Sequence, residues 1–99
     1  MNIVFDDDAV EDLREIRAWT AKESPRAAER LIAKIFDRIE LLIEPELAYM
    51  GRPGLDPGTR ELIENPYIIA YEVHEDRSEI VVLAIVHGAQ KRKPQTKTD

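Results

Sequence analysis

Ninety-nine residues, 43% of them hydrophobic and 34% charged, suffice for one domain around one core; a chain of this size buries roughly 60–65% of the surface its unfolded form exposes. The absence of cysteine excludes disulfides and thiolate metal sites, and no apolar run approaches the roughly 18 residues of a membrane span. The net charge of −6 is unevenly spread: Lys91, Arg92, Lys93 and Lys97 against Asp99 give residues 89–99 a charge of +3, leaving −9 on residues 1–88. An acidic body is a poor polyanion binder, because phosphate contacts supply most non-specific nucleic-acid affinity.

The opening Met1-Asn2-Ile3-Val4-Phe5-Asp6 has no basic region leading into a long apolar stretch, so no secretory leader is expected and a cytoplasmic location is. Ile3-Val4-Phe5 reads as a short strand. Asp6-Asp7-Asp8 is placed to cap a helix and to set negative charge at the positive end of its dipole. Val10, Leu13, Ile16 and Thr20 recur at helical spacing, predicting a first helix from about Asp7 to Lys22. Ser24-Pro25 is a restart signal, serine as cap and proline in the first turn where its missing N–H costs nothing, although Ala27 stands where a capping box would have glutamate. Ala28, Leu31, Ile32, Ile35, Phe36, Ile39, Leu42 and Ile43 then trace an unbroken apolar stripe that Pro45 ends. So short a link between two amphipathic helices implies an antiparallel hairpin.

Residues 46–58 hold Gly51, Pro53, Gly54, Pro57 and Gly58 and read as a loop. Arg60–Ile63 reads as a short strand, and Tyr67–Val73 and Glu79–Val86 as a hairpin around residues 74–78. The last strand is apolar on both faces, which places it inside the sheet. An apolar sheet face and an apolar helical hairpin cover each other, giving a two-layer α+β domain: an N-terminal strand, a helical hairpin, then a three-stranded antiparallel meander. The domain is expected over residues 1–90, with 91–99 as a basic tail.

Two residues stand out as candidate chemistry. Arg60 lies where the Gly/Pro loop enters the sheet, and arginine grips phosphate or carboxylate in two-pronged fashion; a surface pair with Glu61 or Glu64 is the ordinary alternative, and for Arg52 the favoured one. His87 ends the last strand beside Gly88. It is either a general acid or base or a strand-end side chain bonded to the backbone. His74 reads as a solvated turn residue, and two histidines so far apart make no metal site. Trp19, Phe5 and Phe36 read as core or partner-facing, and the 51–58 segment lacks the Gly-Lys-Ser/Thr ending of a P-loop.

The wording Gly58-Thr59-Arg60-Glu61-Leu62, then Pro66-Tyr67-Ile68-Ile69-Ala70-Tyr71, then Ile80 through His87-Gly88-Ala89-Gln90, in an order of strand, helix, helix and three strands, resembles the RelE/ParE superfamily of bacterial toxins. The wording is closer to the ParE branch. The resemblance implies the toxin half of a type II toxin–antitoxin system, with a small antitoxin whose flexible segment wraps and neutralises it. It implies no cofactor, metal, membrane or small-molecule substrate. Two target classes occur: ParE-like members poison DNA gyrase, and RelE-like members cut messenger RNA on the ribosome. For a gyrase-directed toxin the expected target-binding element is the basic tail, Lys91, Arg92 and Lys93. For a ribonuclease the resemblance implies Arg60 as phosphate stabiliser and His87 as proton carrier. Gly88, Ala89 and Gln90, however, stand where such enzymes place a tyrosine or a second basic residue. An inactive antitoxin-binding module is the third reading.

Overall fold

The computed structural model describes residues 1–88. Strand β1 (Asn2–Phe5) leads into helix α1 (Asp7–Ala21), and helix α2 (Pro25–Glu40) returns antiparallel to it. Strands β2 (Arg52–Pro53), β3 (Arg60–Glu64), β4 (Tyr67–His74) and β5 (Glu79–His87) follow, in a sheet ordered β1-β5-β4-β3-β2. The expected α+β layering and meander are present, with two additions. β2, read from sequence as loop, pairs antiparallel with β3 for two residues. β1 pairs parallel with β5, Ile3 opposite Ile80 and Phe5 opposite Val82, so β5 has a neighbour on each side, as its apolar faces predict.

The helix signals act unequally. Ser24 Oγ accepts the Ala27 N–H at 3.1 Å and Pro25 opens α2, the cap that the Ser-Pro pair announces. Asp6 occupies the N-cap of α1 without a side-chain capping bond, and Asp7 and Asp8 contribute only their charge to the first turn. Val10, expected on the inward stripe, is exposed; Ala9 and Ile16 are the buried positions of α1. The stripe of α2 extends past the helix itself, which tightens into a 3-10 turn at Leu41–Ile43 before Pro45, burying Leu42 and leaving Ile43 outside.

Ile32, Ile35 and Ile39 of α2 pack with Ala9 and Ile16 of α1 against Leu62, Ile69, Tyr71, Ile80, Val82 and Ile85 of the sheet. Each fully buried isoleucine contributes roughly 1.5–3 kcal/mol of transfer free energy, so this one layer dominates stability. Phe5 and Phe36 meet edge to face at its margin, ring centroids 5.7 Å apart.

One irregularity shapes the C-terminal end of the sheet. Along β4–β5 the register pairs Tyr67 with His87, Ile69 with Ile85 and Ala70 with Ala84, then resumes with Tyr71 opposite Val82, so Leu83 is the extra residue of a β-bulge. A bulge changes which alternate side chains face inward. Ile80 and Val82 face the helices before it, and Ile85 and His87 face them after it. Both parities of β5 must therefore be apolar, a second reason for its unbroken run.

Candidate functional site

Arg60 and His87 both project from the helix side of the sheet, on the strands flanking β4. Arg60 is opposite Tyr71 and His87 opposite Tyr67. Four residue steps along β4 separate the two levels, about 13 Å along the strand, with two strand spacings across. Arg60 turns to Gly51 and Tyr49 while His87 lies beside Tyr67 and α1, so the structure places them in two separate settings.

The first setting is a lock on the 48–60 segment. Arg60 Nε donates to the Gly51 carbonyl at 2.9 Å, and its guanidinium lies over the Tyr49 ring, 5.5 Å from the centroid. The Tyr71 hydroxyl, fully buried, donates to the Ala48 carbonyl at 2.8 Å and accepts the Gly51 N–H at 3.1 Å. Gly51 is required here by close approach: a Cβ would sit 2.6 Å from the Glu61 carbonyl oxygen and 2.8 Å from the Tyr71 hydroxyl. Tyr49 in turn donates to Glu75, and that bond raises its phenol above the ordinary value. Arg52 pairs with Glu61 as expected, its Nε 3.1 Å from that carboxylate, but the Glu61 side chain is buried, so the pair is not a surface one.

The second setting lies between α1 and the end of β5. Asp12, Glu15, Ile16 and Trp19 from the helix and Tyr67, Ile85, Val86 and His87 from the sheet line a groove of about 510 Å³. His87 and Tyr67 meet edge to face at 5.4 Å. Asp12 Oδ2 accepts the Ile85 N–H at 2.9 Å, just past the bulge. Burial pushes the Asp12 carboxyl above its ordinary value; the Ile85 N–H opposes that shift, and Asp8 and Glu11 add to it. Trp19 is 71% exposed, which excludes the core alternative for that residue. Neither Asp12 nor Trp19 was marked in the sequence as a joint feature with His87; their i and i+7 spacing on one face of α1 was the available signal, but the strand facing them was not.

His74 closes β4 instead of sitting in the turn, its Nε2 2.8 Å from Glu72. Among the described residues no group of three or more His, Asp or Glu side chains is arranged to hold a metal ion, and no helix is long and apolar enough to cross a membrane. Lys91, Arg92 and Lys93, expected as the target-binding element, lie outside the described residues.

A helical hairpin on a mixed sheet, with a parallel N-terminal strand and a C-terminal meander, is the architecture of the RelE/ParE toxins. The model of the ParE toxin of type II toxin–antitoxin systems, parDE, matches residues 3–92, and the chain belongs to this family. Y4kP of Sinorhizobium fredii, a candidate toxin, is 36% identical over 85 residues, covering 84% of this chain and 83% of its own. The chromosomal ParDE system of P. aeruginosa superposes with a TM-score of 0.75 at 26% identity, over 88% of this chain and 95% of that one. The RelBE toxin–antitoxin complex of E. coli, at 12% identity and a TM-score of 0.58 over 86% and 97% of the two chains, shares the fold.

Proposed function

We propose that this chain arrests bacterial growth by binding DNA gyrase, without chemistry of its own, and that a cognate antitoxin neutralises it. The separation of Arg60 from His87 carries this reading. Phosphodiester cleavage needs charge stabilisation and proton transfer at one phosphate. Here the arginine is engaged with the Gly51 carbonyl and Tyr49, and the histidine lies about 13 Å further along the strand. The −9 charge of residues 1–88 supports the same choice, since it opposes docking on ribosomal RNA. Family membership and the ParDE system of P. aeruginosa support an antitoxin partner.

The deciding experiment is induction of this chain without antitoxin in bacteria carrying a DNA-damage-response reporter, with growth followed in parallel. Growth arrest with the reporter on is the expected result. Arrest with a silent reporter moves the target to the ribosome and its messenger RNA, and alanine at Arg60 and at His87 would then identify the chemistry.

A further inference from the structure

We infer that the groove between α1 and the end of β5 is the seat of a cationic side chain, arginine above all, carried by the antitoxin; the inference rests on the antitoxin partnership proposed above and names the chemistry of that contact. Three features of the groove point to it.

The first is charge without a partner. Glu15 makes no ion pair or hydrogen bond among the described residues, and Asp12 spends one oxygen on the Ile85 N–H. Among the described residues no lysine or arginine lines the groove, and residues 1–88 as a whole carry −9, so a complementary segment brings positive charge. The second is the aromatic wall. Trp19, Tyr67 and His87 offer ring surfaces beside those carboxylates. A guanidinium uses both at once, stacking on a ring while forking onto a carboxylate. The indole already attracts a cation from outside the groove, where Lys22 Nζ lies 5.3 Å from its centroid. The third is preorganisation. The Leu83 bulge turns Ile85 and His87 toward α1, and the Asp12 bond across 73 residues fixes that arrangement. The floor is thus formed before a partner arrives, which lowers the ordering cost of binding. A solvated acidic helix face would account for Glu15 alone. It would not account for an exposed tryptophan beside it, a residue type that concentrates in binding hot spots.

Trp19 is the only tryptophan of the chain, so fluorine NMR of fluorotryptophan-labelled toxin reports on the groove directly. The full chain is titrated with the product of its paired antitoxin gene, and affinity is measured at low and high salt. The expected result is a shift of the Trp19 resonance on binding. Affinity is expected to weaken about tenfold in Glu15→Gln and about a hundredfold in Trp19→Ala, with a flatter salt dependence in Glu15→Gln. Asp37→Asn, on the exposed side of α2, is the control and binds as wild type. Glu15 and Trp19 are both exposed, so the variants fold, and circular dichroism checks this. An antitoxin that binds while the Trp19 resonance stays in place and Glu15→Gln matches wild type overturns the groove and leaves the antitoxin reading standing. An antitoxin that does not bind the chain at all overturns both.

Discussion

Tyr71 and Asp12 both use polar side-chain atoms to hold distant parts of the chain together, and they do so with opposite effects on stability. The Tyr71 hydroxyl satisfies both the Ala48 carbonyl and the Gly51 N–H inside the core. Tyr71→Phe keeps the ring but strands two buried backbone groups, at a cost of about 1–3 kcal/mol each. A fall in the urea midpoint of that order is expected, with growth arrest retained wherever the domain is still folded. Asp12 is the reverse case. Its folded-state pKa is raised above the ordinary 3.8, chiefly by burial, so the folded chain holds the proton more tightly than the unfolded chain. The contribution is favourable below 3.8 and is lost as pH rises through the folded value. Asp12→Asn keeps an acceptor oxygen for the Ile85 N–H and never ionises. It is therefore expected to be more stable than wild type at neutral pH, with the advantage vanishing as pH falls below 3.8. Paired urea titrations at the two pH values check the sign. A carboxylate retained at a stability cost is consistent with a charge kept for binding.

Among the elements, β5 carries the most information. Its residues alone state that it is interior, because hydrophobicity on both parities leaves no polar face for solvent. They do not state why both parities are needed. Leu83 opposes no residue of β4, and from that point the inward set changes from Ile80 and Val82 to Ile85 and His87. Ile85→Ala is expected to cost about 2–5 kcal/mol, as for any fully buried isoleucine, and Val86→Ala distinctly less, since Val86 is only partly buried. Equal costs, or the reverse order, in denaturant melts would mean that β5 keeps simple alternation. The helices were more legible. Ser24-Pro25 marked the start of α2 to the residue, whereas Asp6-Asp7-Asp8 marked the start of α1 without supplying a capping bond. A carboxylate at an N-cap offers an acceptor, but whether it swings onto the backbone depends on neighbours that local sequence does not fix.

At the scale of the whole molecule, the proposed mechanism gives the domain and its tail separable roles. Among the described residues every core side chain lies at or before Ile85, and a chain ending at Gln90 is expected to keep the denaturation midpoint of the full chain. Under the proposed gyrase mechanism it loses growth arrest while still binding antitoxin through the α1–β5 groove. Arrest that survives this truncation would remove Lys91, Arg92 and Lys93 from target contact.

Periodicity, capping signals and the wording of the last third determined the layers, the helical hairpin, the meander and the family, because these depend on local propensity and on which face of each element is apolar. Tertiary structure alone decided the parallel pairing of β1 with β5, the two-residue strand β2, the bulge at Leu83 and the meeting of Trp19, Asp12 and His87 in one groove. Those features join residues up to 77 positions apart. Their partners lie on other elements of the fold, and no local pattern in the chain records them.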